Sequence, residues 1–105
     1  MKKSSFLLAA LVLVLSFTKA QGVADAIKML NYGKAKTARE AFSKLIAANP
    51  KDAVAIYWLG QTMIAEDDVK GAKALYQKAL QDGVNDPYMW VGTAHVDLLE
   101  GGDLN

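Results

Sequence analysis

Val23, Ala26, Ile27 and Leu30 recur at three- and four-residue steps, the one-face pattern of an amphipathic helix. Tyr32-Gly33 closes it, and a second helix is predicted from about Ala35 to Ala48. Its apolar stripe is Ala38, Ala41, Phe42, Leu45 and Ile46. Asn49-Pro50 ends that helix, because proline pushes the residue before it out of helical geometry. Asp52 then offers a side-chain oxygen as the N-cap of a third helix, about Ala53 to Ala65. Val54, Ile56, Tyr57, Trp58, Leu59, Met63 and Ile64 make this helix apolar round much of its girth. Such a helix needs neighbours on both flanks. Asp67 and Asp68 interrupt the pattern and are expected to cap a fourth helix, with their charge at the positive end of its dipole. Ala72, Leu75, Tyr76, Ala79 and Leu80 give the fourth helix its stripe, and Asp82-Gly83 stops it. Asp86 caps a fifth, about Pro87 to Glu100, whose proline sits in the first turn where a missing N–H costs nothing. Trp90, Val91, Ala94 and Leu98 run along it, and Gly101-Gly102-Asp103 forms the next turn. Strand-like alternation is absent from the sequence.

These helices repeat. Ala26, Met29, Lys36, Ala38, Phe42 and Lys44 are answered 34 residues later by Gly60, Met63, Lys70, Ala72, Tyr76 and Lys78, four of the six pairs being identities. A fixed period of this size predicts stacked helical hairpins, each unit contacting its neighbours, in place of one compact core. The fold class is therefore all-α, an α-solenoid of antiparallel hairpins with about two and a half units. The boundaries read as 21–52, 53–86 and a truncated 87–105, together a helical repeat domain over 21–105.

The second unit, with Ile56, Leu59-Gly60, Met63, Ala72, Tyr76 and Ala79, resembles the tetratricopeptide repeat family. The first, with Ala26, Met29, Ala38, Phe42, Leu45 and Pro50, follows the same signature. The resemblance covers about residues 22–105. Physically, Ala26 and Gly60 are small so that two helices can cross closely, Ala38 and Ala72 do the same from the other helix, and Phe42 and Tyr76 fill the gap to the following unit. Trp58 and Trp90 are expected to pack as apolar plugs. Pro50 has no counterpart at Val84, which suggests extra or shifted residues at the second junction. The third unit aligns with the period at Ala94 or, one residue later, at His95.

The N-terminus belongs to a different class of sequence. Lys2 and Lys3 precede the 12-residue run Phe6–Phe17, and Thr18-Lys19-Ala20 follows it. This is the layout of a secretory signal peptide, residues 1–20, with the cut ahead of Gln21. The run falls short of the roughly 20 apolar residues of a permanent membrane anchor. Removing Lys2, Lys3 and Lys19 from the 12 basic residues leaves nine against 11 acidic ones. That balance excludes an electrostatic footprint for nucleic acid or for anionic lipid. The chain has no cysteine, so neither disulfides nor a lipidated cysteine enters the picture. A soluble exported bacterial protein is expected, periplasmic in the first instance and extracellular as the alternative.

Catalytic chemistry has little to work with. His95 is the single histidine, and Asp97 or Glu100 beside it makes a poor zinc site. Ser43 has no nucleophile-elbow context, and Glu66-Asp67-Asp68 lacks the spaced ligands of a calcium loop and reads as helix capping. Lys34, Lys36, Arg39 and Lys44 read as a solvated outer face. No enzyme activity, cofactor or metal is expected.

The resemblance implies instead a groove lined by the first helix of each unit. Carrying the period forward gives the rows Val23–Tyr57–Val91 and Ile27–Gln61–His95, with Tyr88 at the mouth. Val23, Ile27 and Val91 are expected to pack between helices, whereas Tyr57, Gln61, Tyr88 and His95 are the candidate partner-binding residues. Family members that clamp carboxylate tails carry lysine, arginine and asparagine along these rows. Here an apolar or aromatic contact is implied. The expected function is a protein–protein scaffold that binds a peptide or partner helix in the cell envelope. The alternative is the N-terminal docking segment of a longer exported protein with an enzymatic or secretion function downstream. Because the last helix lacks a covering partner, self-association through it is a further expectation.

Overall fold

The computed structural model describes residues 22–101, so the candidate signal peptide and the last four residues lie outside the described region. Five helices follow one another: α1 (22–31), α2 (Ala35–Ala48), α3 (Ala53–Ala65), α4 (Val69–Gln81) and α5 (Pro87–Leu99). Among the described residues there is no strand, and no helix is long and apolar enough to cross a membrane. Neighbours in sequence pack as neighbours in space, and α3 also lies against α5, as a stack of hairpins requires.

The core is two linked clusters, each built round one aromatic ring of the second helix in a hairpin. Phe42 on α2 is buried with Ala26, Ala38 and Leu59, while Tyr76 on α4 is buried with Ile56, Ala72, Met89 and Val96. Ile46, Met63 and Leu75 touch both clusters and join them. Removing a ring of this size from water contributes on the order of 2–3 kcal/mol.

The three turns that end α1, α3 and α5 are copies at the 34-residue period. Gly33, Asp67 and Gly101 all adopt the left-handed conformation, with φ of 79°, 62° and 79°. At each the backbone N–H returns to the helix: Gly33 to the carbonyl of Leu30, Asp67 to that of Ile64, Gly101 to that of Leu98. The double turn closes in full after α1 and α3, where Lys34 donates to Met29 and Asp68 to Met63. Asp67 is therefore not a cap, contrary to the sequence expectation. Asp68 alone caps α4, accepting from the Gly71 N–H at 2.9 Å. Because a side chain costs energy at positive φ, Asp67→Gly is expected to raise stability by about 0.5–1 kcal/mol. For a domain of this size that is a rise of about 3–5 °C in Tm. A thermal melt that stays put or falls would contradict it.

The second junction holds no extra residues. Asp52 and Asp86 cap α3 and α5 at the same period, accepting from Ala55 N–H at 3.1 Å and Tyr88 N–H at 3.0 Å. What differs is the exit from the preceding helix. Asn49 is extended before Pro50, whereas Gly83 turns left-handed at φ 88° and needs no proline. Pro87 is instead spent on the first turn of α5.

A second periodic feature lies on the surface. Arg39 reaches Glu66 at 3.4 Å, and 34 residues on Lys73 reaches Glu100 at 2.8 Å. Each pair ties the second helix of one unit to the end of the first helix of the next. Exposed pairs of this kind fix register more than they stabilise. The Glu100 carboxylate holds the Lys73 ammonium above its ordinary pKa, first through their hydrogen bond and then through charge.

Candidate functional site

Tyr57 and Tyr88 are brought together by the packing of α5 on α3. Their ring centroids lie 5.3 Å apart at 53°, and Trp58 meets Tyr57 edge-on at 5.4 Å. With Pro87 and Val91 they line an open slot of about 320 Å³ whose wall is almost wholly apolar. Tyr88 is 42 % exposed and Val91 55 % exposed, so Val91 is not packed between helices as its sequence position suggested. Trp58 is a half-buried wall of the slot and packs on the Phe42 cluster from its other side. Trp90 is no plug: 59 % of it faces solvent.

Gln61 and His95 sit one helical turn further along the same two helices and bond to each other, Gln61 Nε2 to His95 Nδ1 at 3.0 Å. The contact spans 34 residues. It settles the register of the last unit: His95 answers Gln61, and Ala94 answers Gly60. The wiring behind this contact has a direction. Tyr76 donates its hydroxyl proton to the Tyr57 carbonyl at 2.7 Å, and the same oxygen accepts from Gln61 Nε2 at 3.3 Å. Since Tyr76 has no second proton, the Gln61 amide must present N–H groups here. A His95 Nδ1 that accepts from this amide carries its ring proton on Nε2. The two polar candidates are thus engaged with the body of the stack, whereas Tyr88 is exposed and Tyr57, half-buried against the Tyr76 cluster, lines the slot.

Burial pushes the Tyr76 phenol up to about 12 from its ordinary 10.0, with the Gln61 N–H acting in the opposite direction. Below pH 10 the folded and unfolded chains both keep this proton, and it contributes no pH dependence. Between about pH 10 and 12 the unfolded chain loses it first, so stability falls as pH rises, by on the order of 2 kcal/mol in full. Denaturant midpoints measured across this range should show that slope, and Tyr76→Phe should flatten it. Equal slopes in the two proteins would refute the assignment.

A second crevice, about 250 Å³, opens between α2 and α4 and is lined by Ile46, Pro50, Ile56, Leu75, Lys78, Ala79 and Asp82. Lys78 and Asp82 pair with each other at 2.9 Å on its rim, and no aromatic ring enters it. Among the described residues no group of three potential metal ligands comes together. The aromatic slot is therefore the better-formed binding feature.

Sequence reasoning placed Tyr57, Gln61, Tyr88 and His95 on one face. It did not place Trp58, Pro87 and Val91 in the slot. The signal for them was available, since Tyr57-Trp58 and Pro87-Tyr88 are adjacent pairs at the starts of two helices that the period stacks together. The Arg39–Glu66 and Lys73–Glu100 pairs join residues 27 positions apart on different helices, a contact that the 34-residue period alone does not give.

No curated protein and no solved structure matches the chain. A sequence model described as Tetratricopeptide repeat matches residues 29–94, from the end of α1 to the middle of α5. With the stacked hairpins, the small residues under each aromatic ring and turns repeating at 34 residues, the chain belongs to the tetratricopeptide repeat family.

Proposed function

We propose that this protein is a protein-binding scaffold that seats an apolar or aromatic segment of a partner in the slot between α3 and α5. Tetratricopeptide repeats generally mediate protein–protein contact, and one observation carries the finer reading. Tyr57, Trp58, Tyr88, Pro87 and Val91 converge on a solvent-open apolar slot, while the polar side chains beside it satisfy one another. An apolar recess with rigid aromatic walls and a polar border is the usual anatomy of a contact hot spot. Gln61 and His95 hold α5 against α3 and so set the width of the slot. The protein acts by binding, without turnover of a substrate.

A photo-crosslinking side chain at position 88 of the full chain should trap a discrete partner in intact cells. Tyr57→Ala should diminish the adduct at least fivefold, and a probe at Lys44 should give none. An adduct at position 44 as strong as that at 88 would overturn the reading, as would no adduct at 88.

The leader pattern of residues 1–20 supports export to the periplasm, with the extracellular medium as the other destination. The product recovered from producing cells should then begin at Gln21. An N-terminus at Met1 would remove the export proposal and leave the slot untouched.

A further inference from the structure

Charge is sorted by helix in this stack. α3 has no acidic or basic residue, and α5 has only Asp97 and the single histidine. The lysines and the arginine gather on the other helix of each hairpin, as Lys36, Arg39 and Lys44 on α2 and Lys70, Lys73 and Lys78 on α4. The slot between α3 and α5 thus has no cation in its walls, and a carboxylate stands at its edge. Asp86 directly precedes Pro87 and Tyr88, and its Oδ1 accepts from the Tyr88 N–H at 3.0 Å. Among the described residues no cation pairs with Asp86 and no donor reaches its Oδ2. Lys51 precedes α3 beside Asp52 and makes no ion pair with Asp86. The positive end of the α5 dipole, roughly half an elementary charge, offsets the full charge of the carboxylate only in part. We propose that the partner segment is anchored in the slot by an arginine, its stem on Pro87 and Val91, its guanidinium on the rings and its tip on Asp86 Oδ2. The proposal rests on the slot reading and names the anchor.

The walls suit such a side chain. Trp58 stands at 86° to Tyr57 and Tyr88 at 53°, so the three rings present differently inclined faces. A flat guanidinium stacks on a ring face by attraction to its π cloud, and is less strongly hydrated than an ammonium. The methylene stem buries against apolar surface while the charged head keeps polar contact. Asp86 supplies the charged acceptor that the lining itself lacks, since its side chains offer only two phenol hydroxyls and an indole N–H. An acidic segment meets the opposite conditions, a carboxylate at the edge and no cation on either helix. An aliphatic or proline-rich segment fills the slot but leaves the charge of Asp86 unanswered. Charge complementarity therefore selects the basic anchor.

A library of random short peptides displayed on phage and panned on the full chain tests anchor and slot separately. Arginine should be enriched at least fivefold over the unselected library, next to an apolar or aromatic residue. Asp86→Asn keeps the N-cap, because asparagine caps as well as aspartate, and should weaken the selected peptides at least fivefold. Asp25→Asn, the same change of charge at an exposed position of α1, should leave them within twofold. Citrulline in place of the enriched arginine, nearly the same shape without the charge, should weaken binding at least fivefold. Peptides dominated by lysine, proline or aliphatic residues that are lost on Tyr88→Ala would overturn the arginine anchor and leave the slot standing. Equal losses in Asp86→Asn and Asp25→Asn would overturn the Asp86 contact by reducing it to net charge. Peptides indifferent to Tyr88→Ala, or no selected peptide at all, would overturn anchor and slot together.

Discussion

Replacing Tyr76 with alanine is expected to remove about 4 kcal/mol of stability. The ring is fully buried and among the largest side chains in the core, and large-to-small changes of this kind cost about 3–5 kcal/mol. A repeat domain of some 80 described residues has about 4–12 kcal/mol in all, so the loss takes a large part of it. The effect should also have a location. The ring lies between Gly60 on α3 and Gly92 on α5, and its hydroxyl joins the Tyr57 carbonyl to Gln61. Without the ring α5 loses its seat, and amide exchange along α5 should accelerate far more than along α2. Tyr76→Phe keeps the seat but removes the hydroxyl that bridges Gln61 to the Tyr57 carbonyl, which retains its helical partner, at a cost of about 1 kcal/mol. A Tyr76→Ala protein within about 1 kcal/mol of the parent, or uniform exchange in all helices, would show that the ring is not the joint between the units.

Gly60→Ala is expected to cost about 2 kcal/mol, although alanine is the better helix former. Alanine gains about 1 kcal/mol over glycine in a helix, and forcing extra volume into a packed core costs about 1–3 kcal/mol. Here the upper end applies, because the new Cβ would overlap the Tyr76 Oη and Cζ. The ring has little freedom to retreat, since its hydroxyl is tied to the Tyr57 carbonyl and Gly92 backs its other side. Gly92→Ala meets the same ring at 2.6 Å and should weaken the docking of α5 in particular. The first unit shows the compensating exchange already made. Ala26 stands where the period has Gly60, and the ring buried with it is Phe42, which lacks the hydroxyl. Gly60→Ala should therefore cost about 1 kcal/mol less in a Tyr76→Phe background, a coupling readable from a double-mutant cycle in denaturant. Additive losses would break the link between hydroxyl and glycine.

The helices and the period were legible because both are local or repetitive properties. The three helices given bounds from sequence, Ala35–Ala48, Ala53–Ala65 and Pro87–Glu100, are observed to within a residue, since Pro50, Asp52 and Asp86 act on backbone atoms only a few positions away. Asp67 was misread because a carboxylate beside a helix start and one at a left-handed helix end look alike in sequence. Only the conformation, φ 62°, separates them. The register of the last unit was undecided for a related reason. Ala94 and His95 are adjacent, and an alignment with half a unit to work on cannot weigh them. The Gln61–His95 hydrogen bond can.

What the sequence by itself determined is the repeating unit: an all-helical chain, cut by caps and glycines into hairpins 34 residues apart, with a small residue set under each large ring. These follow from short-range sterics and from which side chains leave water. The tertiary structure decided which members of one helical face remain available. Tyr57, Gln61, Tyr88 and His95 share that face by periodicity. Stacking α5 on α3 closes Gln61 and His95 on each other, and it joins Tyr57 and Tyr88 to Trp58, Pro87 and Val91 in an open slot. The same stacking leaves Trp90, Ala94 and Leu98 outside. Exposure depends on what packs against a helix, and that information resides in its neighbours, 20 to 34 positions away in the chain.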